Sequence, residues 1–120
     1  MATKSGSGGY VPDRGDVVAL TFDPQAGHEQ AGRRPAVVLS PAFYNVKSGL
    51  AVLAPVTSQV KGYPFEVAIP PGLAVSGVVL ADQLKSLDWR VRKARFLAAL
   101  PPEVLSEVLL RAGLLLSLRP

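Results

Sequence analysis

Gly27-His28-Glu29-Gln30-Ala31-Gly32-Arg33-Arg34-Pro35 gathers an imidazole, a carboxylate and two guanidinium groups in one short stretch. It runs straight into the apolar Ala36-Val37-Val38-Leu39-Ser40. A positioned carboxylate can accept a proton, and a planar guanidinium fork matches a pair of anionic oxygens. The Gly-punctuated polar half reads as a mobile loop that reaches Arg34, and the apolar half as a buried strand. Loops anchored by a rigid core often carry function. The ordinary readings are a solvated loop carboxylate for Glu29 and a structural salt bridge for Arg34.

Composition narrows the chemistry. The 120 residues suit one domain with a single core, and 48% hydrophobic content argues against disorder. No cysteine is present, which excludes disulfides and thiolate metal sites. His28 is the only histidine, so a two-histidine acid–base pair is excluded and a histidine metal cluster is disfavoured. A net charge of +4 modestly favours an anionic partner. Residues 1–9 read as a flexible polar tail without the apolar core of a signal peptide, and residues 10–120 as one domain. No run reaches the roughly 18 apolar residues of a membrane span. A cytoplasmic protein with no membrane contact is the expectation.

The elements that must position these residues are short. Val17 to Phe22, Ala36 to Ser40, Leu50 to Val56, Phe65 to Ile69 and Gly77 to Ala81 read as strands separated by Gly/Pro turns. Ser40-Pro41 reads as the start of a short helix through Tyr44, with Ser40 as cap. Leu84 to Trp89 continues extended or turns. Arg90 to Arg95 is basic, and Phe96 to Leu100 is apolar. Pro101-Pro102-Glu103 opens a terminal helix. Val104, Leu105, Val108, Leu109, Ala112, Leu115 and Leu116 give that helix an apolar face. Leu114 and Leu118 widen it beyond what one sheet needs, and a subunit interface would cover the excess. The pattern predicts a mostly β or α+β fold: a small barrel of antiparallel strands with a C-terminal helix and one or two short helices.

Several blocks together resemble the MazF/PemK family of toxin endoribonucleases. They are Tyr10-Val-Pro-Asp-Arg-Gly-Asp16, Phe22-Asp-Pro24 and Gly27 to Ser40. Tyr44-Asn45, Lys47-Ser-Gly49, Pro55-Val-Thr57, Lys61-Gly-Tyr-Pro-Phe-Glu-Val67, Ala81-Asp-Gln-Leu-Lys-Ser86 and Trp89-Arg90 continue the match in order. The resemblance spans roughly residues 10 to 118 and implies an SH3-like barrel. It also implies a homodimer that cleaves single-stranded RNA at short motifs without a metal or other cofactor. The implied partner is a MazE-like antitoxin whose acidic, disordered segment blocks the RNA groove.

Such cleavage uses RNA's own 2′-hydroxyl as nucleophile and leaves a 2′,3′-cyclic phosphate and a 5′-hydroxyl. DNA, lacking that hydroxyl, resists. On this resemblance Glu29 is the candidate general base. Arg34 aligns with the family's essential arginine and stabilises phosphorane charge, with late proton donation as the alternative. Thr57 aligns with the catalytic Thr/Ser position; a strand-end threonine bonding its own backbone is the plainer alternative. His28, Arg33, Lys61, Tyr63, Asp82, Gln83, Arg90 and Arg92 are candidates for RNA contact. Tyr63, Phe65 and Trp89 are aromatic groups able to stack on unpaired bases, with packing the alternative for Phe65 and Trp89. The basic run Arg90, Arg92, Lys93 and Arg95 suits an RNA backbone, an acidic antitoxin or plain solvation. Leu80 stands where the PemK branch carries an arginine two residues before Asp82. This places the chain nearer the MazF branch and leaves Asp82 to read a base edge or brace its loop. Two other readings compete: a same-fold CcdB-type toxin that binds gyrase, and a non-catalytic member that binds only RNA or antitoxin.

Overall fold

The computed structural model describes residues 9–22 and 32–117. Seven strands and two helices follow in the order β1 (Asp16–Thr21), β2 (Arg33–Val38), α1 (Ala42–Ser48), β3 (Leu50–Thr57), β4 (Glu66–Ala68), β5 (Val78–Leu80), β6 (Lys85–Asp88), β7 (Arg95–Ala99) and α2 (Pro102–Ser117). Every pairing is antiparallel. The strands lie in the order β4-β5-β3-β2-β1-β7, with β6 also on β3. Strand β3 is the hinge of the sheet. Its first half, Leu50 to Leu53, pairs β6, and its last residues, Val56 and Thr57, pair β5. A bulge in the β1–β7 ladder between Val17 and Val18 adds curvature. The outermost strands β4 and β7 are not paired with each other, so the sheet is barrel-like but open.

Both faces of the central strands are buried. Val17, Val37, Ala54, Val56 and Val79 pack on one side with Val108 and Ala112 of α2. Val18, Leu20, Ala36, Val38, Ala51 and Leu53 pack on the other with Tyr10 and Trp89. Near-continuous apolar runs such as Pro35 to Leu39 follow from this double burial. Two prolines sit in interior strands without breaking a ladder. Pro35 lies one residue beyond the last β2–β3 pair, Ala36↔Pro55. Pro55 falls between the β6 and β5 stretches on β3's other edge.

Four expectations change. The loop before β2 stops short of Arg34: Arg33 and Arg34 are already strand, paired with Thr21 and Leu20. Strand β7 forms where only an apolar run was recognised, because its partner β1 is remote in sequence. Helix α1 runs on to Ser48, and Ser40 does not cap it. Pro41 is extended there, and Asp13 Oδ1 accepts the Ala42 N–H at 2.9 Å. The Ser40 hydroxyl instead donates to Asn45 Oδ1 at 2.6 Å and accepts from Val52 N at 2.8 Å. Asn45, fully buried, also donates to the Pro12 and Ser40 carbonyls. Finally, Leu115 and Leu116 are exposed rather than packed, because the apolar contact of α2 with the core runs through Val104, Leu105, Val108, Leu109 and Ala112.

A second buried polar group joins the N-terminal segment to β1. Tyr10 donates to Asp16 Oδ2 at 2.7 Å, and Asp13 N–H donates to the same oxygen at 3.0 Å. Burial raises the Tyr10 phenol far above its ordinary range, and the Asp16 bond and the Asp16 and Asp13 charges push it the same way. The native state therefore favours the protonated phenol. The stability this carries is complete below the unfolded phenol's value of ~10 and is lost as pH climbs above it. Urea denaturation between pH 9 and pH 12 is expected to show wild-type stability falling more steeply than that of Tyr10→Phe. Equal slopes would remove Tyr10 as the cause.

Candidate active site

Two of the catalytic candidates lie just beyond one end of the β2–β3 ladder. The last paired positions are Ala36↔Pro55. Arg34 and Thr57 each lie two residues beyond that pair, past the end of the β2–β3 ladder. Both positions lie on the same side of the sheet, because side chains alternate with period two. Arg34 is exposed and Thr57 is half-buried. The Thr57 hydroxyl accepts the Gln59 N–H at 3.1 Å. That is the local backbone bond of a strand-end threonine, and it leaves the hydroxyl proton to donate elsewhere.

A cleft of about 300 Å³ opens beside Arg34. Ala19, Arg33, Pro35 and Leu97 form its sheet side, and Ala74, Val75 and Ser76 its other wall. That wall was not anticipated from sequence. Its one signal was Gly77. The residue has φ +118, and a Cβ there would stand 2.1 Å from the Thr57 carbonyl oxygen. Only glycine lets the segment pass this close to the strand end that carries Thr57. The Gly77 carbonyl accepts from Ile69 N at 2.9 Å, which ties the wall to the β4 end of the sheet.

Cations concentrate on the same border. Arg33 Nη2 donates to the Ala19 and Lys93 carbonyls, each at 3.0 Å, stitching β2 to the β6–β7 turn. Thr21 N donates to the Arg92 carbonyl at 3.1 Å. The turn is shaped by Asp88, whose Oδ1 accepts the Arg90 and Val91 N–H groups at 3.0 and 2.9 Å. Arg33, Arg34, Arg92, Lys93 and Arg95 thus share one margin. Arg92 Nε is buried without a hydrogen-bond partner among the described residues.

Other candidates are placed differently. Arg90 turns toward α1: its guanidinium lies 4.7 Å from the Trp89 ring centroid and donates to the Val46 carbonyl at 3.1 Å. Trp89 is buried and its indole N–H donates to the Asn45 carbonyl, so packing rather than base stacking is its role. Lys61, Tyr63, Asp82 and Gln83 are all described. Tyr63 is 60% exposed, enough to offer its ring to a ligand, and Asp82 and Gln83 are exposed as well. They collect at the far end of the β4–β5 hairpin. Glu66↔Leu80 is paired and Ala81 N donates to the Phe65 carbonyl, so the same register sets Pro64 beside Asp82. Thr57 pairs Val78 at the hairpin's other end, roughly 13 Å from Asp82 at a strand rise of about 3.3 Å per residue. His28 and Glu29 lie outside the described residues. Among the described residues no three His, Cys, Asp or Glu side chains converge as metal ligands, and no helix is long and apolar enough to cross a membrane.

A small antiparallel β-sheet protein with an exposed arginine beside a cleft on a cationic margin is the class that the structure defines. Residues 13–116 match the family described as PemK-like, MazF-like toxin of type II toxin-antitoxin system. The chain belongs to this family. It is 50% identical over 107 residues to the endoribonuclease toxin MazF of Escherichia coli, covering 89% of this chain and 96% of that protein. The crystal structure of MazF from Deinococcus radiodurans superposes with a TM-score of 0.82 at 61% identity, covering 91% and 99% of the two chains. A MazE-MazF crystal structure from the same organism gives 0.82 at 55% identity, covering 92% and 99%.

Proposed function

We propose that this MazF-type toxin, an endoribonuclease by family, cleaves single-stranded RNA at short motifs without a metal. What supports the reading most is Arg34, exposed on the cationic margin and bordering the cleft, in a chain of the MazF-like family. RNA supplies its own nucleophile, so the protein needs a base, charge stabilisation and a proton for the departing 5′-oxygen. Arg34 holds the non-bridging phosphate oxygens and meets the charge that grows on the phosphorane. A guanidinium hardly gives up a proton, so charge stabilisation is its main role. The Thr57 hydroxyl donates to the same phosphate. Glu29 takes the 2′-hydroxyl proton. The RNA backbone runs past Arg33 and Arg92, His28 is a further candidate contact, and flanking nucleotides reach Lys61, Tyr63, Asp82 and Gln83.

The partners follow from the same surfaces. A second copy of the chain buries the apolar excess of α2, where Leu110 and Leu114 are exposed one turn apart. An acidic MazE-like antitoxin competes with RNA for the cationic margin, in keeping with the MazE-MazF structures of a relative.

The test uses purified protein, excess EDTA, a long single-stranded RNA, matched DNA and end mapping. Cuts at one short motif, with 5′-hydroxyl ends and intact DNA, are expected. Cleavage that stops in EDTA would remove metal independence. Intact RNA from a folded protein would favour a gyrase-binding or binding-only member, and a gyrase supercoiling assay would separate those.

A further inference from the structure

Glu66 and Arg111 have no part in the chemistry above, yet together they hold the loop that carries Lys61 and Tyr63. The Glu66 carboxylate accepts the Lys61 N–H at 3.2 and 3.1 Å and the Gly62 N–H at 2.9 Å. Gly62 has φ +82, a backbone state that lets two successive N–H groups converge on one carboxylate. Arg111 of α2 secures the strand end behind them. It donates to the Pro64 carbonyl, to the Glu66 carbonyl at 3.3 Å, and to Glu107 Oε2 one turn away at 2.6 Å. Helix, strand and loop therefore form one chain of contacts ending at Tyr63. Residues 58–64 have no strand ladder of their own, so these bonds set the loop's shape. An exposed aromatic ring helps bind a base only if it is held where the base arrives, since ordering it on binding costs affinity.

We propose that Glu66, backed by Arg111, is a positioning residue for RNA recognition: it fixes the Lys61–Tyr63 loop as a preformed stacking platform for a nucleotide flanking the scissile bond. The proposal rests on the endoribonuclease reading for its substrate. The loop's restraint is a property of the protein alone.

The experiment compares wild type, Glu66→Gln and Arg111→Gln in three measurements. The first is the rate of tryptic cleavage after Lys61 in the folded protein. The second is binding of a fluorescent single-stranded RNA carrying a 2′-deoxy nucleotide at the scissile position, so that it cannot be cut. The third is kcat and KM on the cleavable RNA. An amide keeps one acceptor oxygen but turns an NH2 toward the backbone N–H groups, so Glu66→Gln frees the loop without a large change in volume. Its tryptic cleavage at Lys61 is expected to be faster, and RNA binding and KM weaker by about tenfold, the scale of one lost base stack, with kcat within about twofold. Arg111→Gln shifts the same readouts in the same direction. Unchanged proteolysis, or a freed loop with undiminished RNA binding, overturns the proposal. So does a fall in kcat at constant KM. If wild type binds the deoxy-substituted RNA but cuts no RNA, the nuclease reading fails and the positioning role is judged on binding. If wild type does not bind it either, both fall.

Discussion

Arg34→Ala is expected to lower the cleavage rate by about 10²–10³-fold, the scale of removing one charge-stabilising donor from a phosphorane or oxyanion site. The fold should survive. Arg34 is exposed, and its backbone, which makes the ladder bonds to β1, stays in place. The loss should therefore appear in kcat as well as kcat/KM, because the guanidinium meets more charge in the transition state than in the bound RNA. Arg34→Lys should recover only part of it. A point charge replaces the planar fork, and the bidentate grip on two oxygens is lost. Single-turnover cleavage of a short RNA checks this, with the melting temperature recorded in parallel. Near-wild-type cleavage by Arg34→Ala would remove Arg34 from the catalytic role.

The second large effect is structural and lies at a residue that never meets RNA. Gly77→Ala puts a Cβ 2.1 Å from the Thr57 carbonyl oxygen, 2.9 Å from its carbonyl carbon and 3.1 Å from Ser58 Cα. All three are backbone atoms, so no rotamer relieves the clash. The φ of +118 is itself strained for alanine. We expect a destabilisation of about 3 kcal/mol or more. We also expect a loss of cleavage beyond the unfolded fraction, because the backbone that must move carries the Thr57 hydroxyl. Denaturant titration gives the first quantity. Cleavage by the folded fraction, at a temperature where the variant is still native, gives the second. A variant as stable and active as wild type would mean that the 74–77 wall is freer to move than its packing shows.

The polar centre at Asn45 shows how the same sequence blocks serve both fold and site. Tyr44-Asn45 lies in one of the blocks that carry the family resemblance, and the tryptophan of Trp89-Arg90 reads from sequence as either a stacking ring or a packing one. In the structure Asn45 Nδ2 binds the Pro12 and Ser40 carbonyls while its backbone carbonyl takes the Trp89 indole N–H. Buried polar groups are costly unless paired, so these residues are held by one another. The blocks mark a scaffold around α1 as much as a binding surface.

Much was determined by the sequence alone. Short apolar runs between Gly and Pro turns define an antiparallel β domain with a terminal helix, since strand and helix periods are local properties. The ordered blocks from Tyr10 to Trp89 identify the family, and the resemblance offers Arg34 and Thr57 as candidates. Tertiary structure decided the rest, because it depends on contacts between distant residues. Strand β7 exists because β1 offers it an edge, and Arg33 and Arg34 are strand because Thr21 and Leu20 pair with them. Trp89 turned inward to satisfy a carbonyl in α1. The close approach of Gly77 to the Thr57 backbone and the Glu66–Arg111 hold on the Tyr63 loop join residues that no spacing rule connects. Residue types state which chemistry is possible. Only the pairing of the strands decides which of those groups stand near one another.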